Sequence, residues 1–363
     1  MPRETQNRTE KKLKQPRGEA HRATVRDSQT LTPATRKQPR VAVIGAGRLG
    51  SALAVALSRS GYHVVALVAR RAARARRAAR ALSPRPLALD ANHLDLLPDT
   101  LDLILITTPD DQIAPVAAHL AEVLAARHGR HAQSSQQTRA RQSARRRAPH
   151  GIALHASGAL SSAALAPLGA QGFSLGSLHP LVSVSDSAAT MGGGQNLGGA
   201  FYCLEGEARA LAAARRIVSA LGGQSFSLAT RDKALYHAAA VIASGHTVAL
   251  FSLASELLAR CGLSRARARE VLLPLLTSTL DNLKAHAPDE ALTGTFARAD
   301  LSTVRKHLAA LRDAGDVQGA TAVYALLGER SLEMAARRHD FDPSVVAEIA
   351  LLLQRAISNT HDE

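Results

Sequence analysis

The chain has 363 residues, a formal charge of +15 and only 3% aromatic residues, with no tryptophan. This length is sufficient for two domains and a large core, which the composition restricts mainly to Ala, Leu and Val side chains. The two cysteines form no CxxC pair and have no metal-ligand spacing, so the sequence indicates neither a disulfide framework nor a metal site. We expect a cytoplasmic protein, because the N-terminus also lacks the apolar stretch of a signal peptide.

Most of the positive charge lies in two segments. Residues 1–40 contain 11 Lys or Arg and four Asp or Glu, and residues 127–150 contain seven Arg and no acid, which leaves +1 for the rest. Their polar composition predicts a disordered tail over residues 1–39 and a disordered insertion over residues 127–149. Neither segment has an aromatic residue for base stacking, so we expect no specific nucleic-acid partner. No apolar run approaches the roughly 20 residues of a membrane-spanning helix, so we expect no membrane partner.

A glycine-rich turn follows the first predicted strand. Val41–Ile44 has the pattern of a buried parallel strand, and a helix beginning with small residues follows the turn. In this pattern the first glycine makes the tight turn, the second lets a pyrophosphate approach, and the third lets the helix pack closely. The helix N-terminus also presents N–H groups to the phosphates. A second strand at His63–Val68 favours a dinucleotide site over a simple Gly-rich turn. The predicted contacts are Gly45, Ala46, Gly47, Arg48, Leu49 and Gly50.

The residues after the second strand indicate which dinucleotide binds. NAD-binding folds place an acidic residue there, whereas this chain has Arg70 and Arg71. Guanidinium groups bind phosphate through paired hydrogen bonds, so we predict NADP(H) rather than NAD(H). The alternative is that both arginines belong to the exposed face of an Arg-rich helix. Thr107, Thr108 and Pro109 follow another buried strand and are predicted to lie beside the nicotinamide ribose.

Two later strands lead into polar residues that are suited to chemistry. Gly151–Ala156 leads into Ser157, and Ser174–Leu178 leads into His179. We expect both side chains at the same sheet edge, where a histidine can donate a proton or a hydrogen bond to a carbonyl being reduced. The alternatives are that His179 only orders the His-Pro turn and that His155 is buried in its strand.

From Arg231 onward the sequence pattern is helical. Lys233, His237 and Ser244 are spaced i, i+4 and i+11, which places them on one helical face. Burying Lys and His without partners is costly, so they require partners or a ligand. We predict that Lys233 donates a proton or anchors the substrate and that His237 orients it. The alternative is that Lys233 lies in an exposed first turn.

These elements predict an α/β fold, with a Rossmann-type doubly wound sheet followed by an all-α domain. The dinucleotide-binding domain is predicted over residues 40–230, and a helical domain for substrate binding and dimerisation over residues 231–358.

Seven motifs carry a family resemblance. They are GAGRLG, TTPDDQI, HASGALS, SLHPL, EGEARALAAA, KALYHAAAVIAS and ALTGTFARAD. Together they resemble, over about residues 40–335, bacterial proteins that pair a Rossmann-like domain with an all-helical domain of unknown function. These proteins are distantly similar to deazaflavin-dependent NADP reductases, pyrroline-carboxylate reductases, ketopantoate reductases and hydroxyisobutyrate-type dehydrogenases. The resemblance implies an oxidoreductase in which the helical domain closes the cleft, supplies a Lys-bearing helix and builds a homodimer.

Three residues depart from the expected family pattern. Gly245 stands in place of Asn, Thr295 in place of Pro, and Ala299 in place of Gly. We predict an NADP-dependent reductase or dehydrogenase that moves a hydride between nicotinamide and a carbonyl or imine of a small polar substrate. The alternative, favoured by the missing Asn, is a non-catalytic NADP-binding sensor or regulatory protein.

Overall fold

Eight strands form one sheet. They are β1 (Arg40–Ile44), β2 (His63–Ala69), β3 (Leu87–Asp90), β4 (Leu103–Ile106), β5 (Ile152–His155), β6 (Ser174–Pro180), β7 (Phe201–Gly206) and β8 (Gln224–Ser227). Their spatial order is β3-β2-β1-β4-β5-β6-β7-β8. The first six strands run parallel, β7 is antiparallel to β6, and β8 is parallel to β7. The computed structural model describes residues 38–134, 151–184, 197–315 and 317–359.

Helices cover both faces of the sheet. They are α1 (Arg48–Arg59), α2 (Ala72–Ala79), α3 (Asp110–Ser134), α4 (Ala166–Gly169) and α5 (Ala208–Ala220). Val41 and Val43 pack toward α1, α2 and α5, whereas Ala42 and Ile44 pack toward α3 and α4. Strands buried on both faces in this way read as continuous apolar runs. The predicted doubly wound α/β fold is therefore confirmed.

A helical region follows the sheet. It contains α6 (Lys233–Val241), a π-helical segment (Ile242–His246), α7 (Thr247–Arg260), α8 (Arg265–Ala285), α9 (Pro288–Ala291), α10 (Leu301–Asp313), α11 (Ala320–Ala336) and α12 (Pro343–Asn359). Its core lies between α10, α11 and α12, where Val304, Ala325, Leu332, Ile349 and Leu353 are buried together. Much of the apolar surface of α6, α7 and α8 lies outside this core.

The sheet topology brings the predicted site residues to one edge. β1 and β4 are neighbours at the point where the strand order reverses, which is where ligands bind in open α/β sheets. The register places Ile106 beside Ile44, His155 beside Ile106, and Ser177 beside His155. The segments that follow β1, β4, β5 and β6 therefore emerge at adjacent places.

The predicted insertion begins later than expected. α3 continues to Ser134, so residues 127–134 are helical where the sequence predicted disorder from residue 127. Arg127, Arg130, Ala132 and Gln133 are good helix formers and continue the Ala-rich run that ends at Ala126. Residues 135–149 of the predicted insertion and residues 1–37 of the predicted tail lie outside the described residues.

One long helix of the described chain meets the length and composition of a membrane-spanning helix. Thr230–Arg260 contains an 18-residue stretch with a mean hydropathy of 1.5, so the prediction that no such apolar run exists is wrong. α6, the π-helical segment and α7 continue without a break, and their few polar residues do not offset the apolar ones. Helices that never enter a membrane also meet these two criteria.

The π-helical segment separates two residues that were predicted to share a face. Ser244 lies in this segment and is exposed, whereas Lys233 is fully buried. A wider turn changes the angular spacing of the residues that follow it, which a uniform helical count does not anticipate. A Cβ atom on Gly245 would meet only Cγ1 of Val241, at 3.8 Å, so packing within the described chain does not require a glycine there.

A left-handed backbone conformation explains why the family pattern has a glycine at position 299. Ala299 follows a short 3₁₀ turn (Phe296–Arg298) and has φ 47° and ψ 44°. This conformation favours glycine, because a Cβ atom crowds the backbone there. The glycine expected from the resemblance therefore has a conformational reason, and alanine tolerates the same turn under strain.

Candidate active site

Two glycines of the turn after β1 are required by packing. Gly45 has φ +112°, and a Cβ atom on it would lie 2.6 Å from the backbone carbon of Thr107. A Cβ atom on Gly50 would overlap both the Gly45 carbonyl oxygen and the Thr107 side chain. The Thr107 hydroxyl donates a hydrogen bond of 2.8 Å to the Gly45 carbonyl, which joins the turns after β1 and β4.

The middle glycine is not required by packing. A Cβ atom on Gly47 would come no closer than 3.8 Å to any neighbouring atom, the nearest being the Gly45 carbonyl oxygen. Gly47 is the N-cap of α1 and provides no side-chain cap, so the first turn of this helix is open to an anion. The Thr108 backbone lies against Gly45, and the Thr108 hydroxyl is buried without a hydrogen-bond partner among the described residues. An open glycine, an uncapped helix and an unpaired hydroxyl together fit a dinucleotide.

The remaining predicted cofactor residues lie around this turn. Ala46 is buried, with its N–H donating to the Val68 carbonyl, and Arg48 and Leu49 form the first turn of α1. Pro109 is exposed before α3. A separate pair, Arg70 and Arg71, follows β2 at the start of α2.

Both arginines after β2 are exposed, and Arg71 is the N-cap of α2. Within the described ranges, neither guanidinium is engaged in an ion pair or a side-chain hydrogen bond. Two exposed cations at a helix N-terminus are suited to a phosphate group. The geometry thus agrees with the predicted position of a 2′-phosphate, although an exposed helix face has the same appearance.

Lys233 joins the helical region to the sheet edge. Its side chain is completely buried, which excludes the alternative of an exposed first turn. The ammonium Nζ donates hydrogen bonds to the Ser177 hydroxyl at 2.6 Å and to the Ser157 carbonyl at 3.3 Å. Burial lowers the pKa of Lys233, since the charged form loses its hydration. These contacts supply the partners that a buried lysine requires.

Ser157 connects this lysine to the turn after β4. Its hydroxyl donates a 2.8 Å hydrogen bond to the Asp110 carboxylate, at the start of α3. The same oxygen accepts hydrogen bonds from the N–H groups of Ala159 and Leu160. The loop after β5 is therefore fixed from three directions, and Ser157 is itself buried.

His179, Tyr236 and His237 form a cluster of rings above β6. The His179 Nδ1 and the Tyr236 hydroxyl lie 2.6 Å apart, and the two rings meet edge to face. The His237 ring also meets the His179 ring edge to face, with centroids 5.7 Å apart. A Cβ atom on Gly158 would lie 2.5 Å from Cδ2 of His237 and 3.0 Å from Nε2 of His179. The loop after β5 therefore touches both histidines.

Burial keeps His179 neutral. Loss of hydration, with smaller effects of the nearby His237 and Lys233 in the same direction, lowers its pKa to about 4. A neutral imidazole can donate one hydrogen bond and accept another at neutral pH. His179 is part-exposed in the structure, as is His237.

His155 has a structural role. It is fully buried, its Nε2 lies 3.0 Å from the Ser161 carbonyl, and its Nδ1 accepts a hydrogen bond from the Ser157 N–H. The carbonyl requires a proton on Nε2 and the N–H requires a lone pair on Nδ1, which together specify a neutral ring. Burial lowers the pKa of His155 to about 4. As expected from the sequence, this histidine is buried in its strand.

Glu205 is a buried carboxylate that joins three segments. It accepts hydrogen bonds from the Ser162 N–H at 2.7 Å and the Ser162 hydroxyl at 2.9 Å. It also accepts one from the Thr230 hydroxyl at 3.0 Å, just before α6. β7 is thereby connected both to the loop after β5 and to the start of the helical region.

The sequence analysis missed four residues of this site. They are Asp110, Ser177, Tyr236 and Glu205. Tyr236 had a detectable signal, because it lies three positions after Lys233 on the same helical face. No local pattern indicates the partners of Asp110, Ser177 or Glu205, which come from distant segments.

Two family models match the chain. Residues 26–136 match a Rossmann-like domain, and residues 200–331 match a domain of unknown function (DUF2520). The predicted pairing of a Rossmann-like domain with a helical domain of unknown function is therefore confirmed. No curated protein sequence matches this chain.

Several solved structures share the fold. A candidate NADP oxidoreductase of Bacteroides fragilis has a TM-score of 0.60 at 22% identity, over 82% of this chain and 98% of that chain. A Thermotoga maritima protein has a TM-score of 0.57 at 23% identity, over 82% and 100%. A reductive aminase of Aspergillus terreus, solved with NADPH and ethyl levulinate, has a TM-score of 0.52 at 17% identity, over 86% and 99%. At these identities the likeness concerns the fold.

The buried His155 makes folding stability depend on pH. Its pKa is about 4 in the folded protein against 6.5 as the ordinary value, so between these values the unfolded chain binds a proton that the folded protein does not. The free energy of unfolding therefore falls as the pH falls through this range. His155→Gln keeps a donor and an acceptor but does not titrate. We expect its loss of stability between pH 7 and pH 5 to be smaller than that of the wild type by about 2 kcal/mol.

Urea denaturation at both pH values measures this difference. His119→Gln, which removes an exposed histidine, serves as the control and should retain the wild-type pH dependence. Equal pH dependence in His155→Gln and the wild type would contradict the assignment.

Proposed function

We propose that this chain, which joins a Rossmann-like domain to DUF2520, is an NADP-dependent oxidoreductase. It moves a hydride between nicotinamide and a carbonyl or imine of a small polar substrate. Its place of action is the sheet edge at which the glycine turn, the Ser157 loop and the His179 cluster lie close together. The fold shared with the NADPH-containing reductive aminase supports this proposal.

The observation that carries the proposal is the open space at Gly47. Gly45 and Gly50 are explained by the packing of the fold, but Gly47 has no close neighbour. A glycine at this position lets the protein backbone come close to a bound pyrophosphate. The uncapped start of α1 supplies N–H groups for that pyrophosphate. The turn after β4, whose Thr108 backbone lies against Gly45, also contains the unpaired Thr108 hydroxyl.

The two arginines after β2 support NADP(H) as the cofactor. Arg70 and Arg71 stand where an acidic residue would bind the ribose hydroxyls of NAD(H). Their guanidinium groups would hold the 2′-phosphate through charge-assisted hydrogen bonds, to which the N-terminus of α2 contributes.

The residues of the candidate site have separate proposed roles. Bound nicotinamide supplies or accepts the hydride. Lys233 holds the Ser157 carbonyl through a hydrogen bond, and the Ser157 hydroxyl ties the loop after β5 to the Asp110 carboxylate. His179 and His237 present their rings at the surface of the cluster, where they orient the substrate and exchange its proton. Because Nζ of Lys233 is enclosed by two oxygen atoms, we propose that it positions the loop and acts on the substrate through it.

We also propose that a second copy of the chain covers an apolar helical face. This face consists of Leu235, Ile242, Val248, Val271, Leu273 and Leu275, all of which are exposed. Leu235 is 76% exposed and Val248 is 71% exposed. Burying an apolar side chain of this size contributes roughly 1.5–3 kcal/mol, so a partner that covers these residues would be stabilised. The first helix of the face begins at Lys233, which is anchored in the sheet edge, so a partner protein fits it better than a bilayer.

The two cysteines bear on the cellular compartment of the protein. Cys203 and Cys261 are free thiols, and Cys203 is buried inside the sheet. We infer a cytoplasmic location, where thiols stay reduced.

The cofactor site is tested with Gly47→Ala. The backbone of Gly47, with φ −79° and ψ −162°, accepts alanine, so the variant should keep the wild-type melting temperature. We expect NADPH to bind about 100-fold more weakly, because the new methyl group occupies the space for the pyrophosphate. Fluorescence titration measures the affinity, and NADPH absorbance measures consumption with a panel of keto acids and imines.

The matched control is Gly245→Ala, which adds the same methyl group where only Val241 is near. It should bind NADPH like the wild type. The proposed function would be refuted if the wild-type protein bound no nicotinamide nucleotide. If the protein bound NADPH but did not consume it with any substrate of the panel, catalysis on these substrates would be refuted.

The cofactor preference is tested with Arg70→Ala combined with Arg71→Ala. We expect NADPH affinity to fall by about 10- to 100-fold, because the contacts to the 2′-phosphate are lost, while NADH affinity stays within about threefold. Arg80→Ala, at the other end of α2, is the control and should change neither affinity. Tighter binding of NADH than NADPH by the wild type would overturn the preference.

The dimer is tested with Val248→Glu. A carboxylate on the apolar helical face should raise the dimer dissociation constant by about 100-fold, because its burial is costly. Sedimentation equilibrium measures this constant, and Ala310→Glu adds the same charge to an exposed position of α10 as a control. A wild-type monomer, or a wild-type protein that binds vesicles of phosphatidylcholine and phosphatidylglycerol instead of itself, would contradict the dimer.

A further inference from the structure

The contact between Tyr236 and His179 determines what His179 can do. A separation of 2.6 Å between the phenol oxygen and Nδ1 requires one proton between them. If Tyr236 donates it, Nδ1 is an acceptor and Nε2 carries the proton of the neutral ring. If Nδ1 donates it, Nε2 is an acceptor. The two arrangements present opposite groups to a substrate.

A third group decides between them. Cys203 is opposite His179 in the β6–β7 register, is completely buried, and its thiol lies beside the Tyr236 phenol. Burial raises the pKa of the Cys203 thiol and of the Tyr236 phenol, so both keep their protons at neutral pH. The thiol sulfur is a weak acceptor, whereas an unprotonated imidazole nitrogen is a strong one, so the phenol donates its proton to Nδ1 of His179.

The far side of the His179 ring faces the loop after β5. Its Cε1 and Nε2 atoms are the ones that a Cβ atom on Gly158 would touch, at 2.9 and 3.0 Å. The charged or titratable groups around the ring are His237 and Lys233 from α6, Asp110 from α3 and His155 from β5. None of these four is hydrogen-bonded to Nε2 in the described structure, so this nitrogen is available to a ligand.

We propose that Tyr236, supported by Cys203, is a positioning residue that fixes His179 as a neutral donor, and that the Nε2–H binds the oxygen of a substrate carbonyl. This proposal rests on the proposed function and names its substrate class as a ketone or aldehyde. An N–H group stabilises the negative charge that develops on a carbonyl oxygen, in the manner of a neutral histidine electrophile. A protonated imine carries its own N–H and requires an acceptor, and the ammonium group of Lys233 repels its positive charge.

Reduction of the carbonyl takes up one hydride and one proton. Bound reduced nicotinamide would supply the hydride to the carbonyl carbon and would leave as the oxidised form, and the π electron pair of the C=O bond would move to the oxygen. The His179 Nε2–H holds that oxygen through a hydrogen bond. One proton from water, passed on by the part-exposed His237, converts the oxygen to a hydroxyl.

The proton position is measured on the full-length protein labelled with ¹⁵N-histidine. Long-range ¹H–¹⁵N spectra distinguish a protonated from an unprotonated ring nitrogen, and a His179→Gln spectrum assigns the resonances. We expect an unprotonated Nδ1 and a protonated Nε2 at pH 7. Tyr236→Phe removes the donor that stabilises the neutral ring, so the Nδ1 resonance should shift and His179 should titrate at a higher pH.

The chain offers a matched control. Tyr324 approaches Nδ1 of His307 at 2.9 Å with the same edge-to-face geometry, far from the cluster. Tyr324→Phe should change only the His307 resonances. A proton on Nδ1 of His179, or His179 resonances that are unchanged by Tyr236→Phe, would overturn the proposal whether or not the protein binds NADPH.

The substrate class has a separate readout. We expect NADPH consumption with a keto acid to be at least about tenfold faster than with the imine that the same keto acid forms with methylamine. Tyr236→Phe should lower kcat with the keto acid about tenfold and leave the NADPH dissociation constant unchanged. Faster consumption of the imine would overturn the carbonyl assignment. Absence of NADPH binding would refute the proposed function but leave the histidine spectra interpretable.

Discussion

The site depends on one buried ammonium group. Lys233 is the first residue of α6, and its Nζ lies between the Ser177 hydroxyl of β6 and the Ser157 carbonyl after β5. Removing an ammonium from water costs several kcal/mol, so the sequence must supply oxygen partners at this point. Once Lys233 is placed, the helix phase brings Tyr236 and His237 to the same side, where they meet His179.

The same helix links the site to the surface of the molecule. It continues from Lys233 through the π-helical segment to Arg260 and contributes exposed apolar residues along the way. A partner on this face would therefore contact the element that positions the site. π-helical turns occur often at functional places, and this one lies between the anchored start of the helix and its apolar end.

The sequence was sufficient for the fold because its signals are local. The runs predicted at Val41–Ile44, His63–Val68, Gly151–Ala156 and Ser174–Leu178 correspond to β1, β2, β5 and β6, and the glycine turn corresponds to the β1–α1 connection. The shared edge of β5 and β6 brought the loop at Ser157 close to His179, as expected. The contacts of the site were less accessible, because they depend on distant partners. Nothing near Ser177 or Glu205 in the sequence indicates that Lys233 or Ser162 will reach them. The end of α3 was uncertain for a different reason, since residues 127–134 mix good helix formers such as Arg and Gln with Gly, Ser and His, a composition that suits both a helix end and a disordered segment.

The reversal of chain direction between β6 and β7 has a chemical consequence. It places Cys203 in the interior of a strand, opposite His179, with no exposed surface. Oxidants and alkylating reagents attack accessible thiolates, and Cys203 is neither accessible nor deprotonated at neutral pH. The other thiol, Cys261, is exposed at the end of α7. A spectroscopic label or a cross-linker would therefore attach at Cys261 and leave the interior thiol intact, which gives one selective handle on the natural sequence.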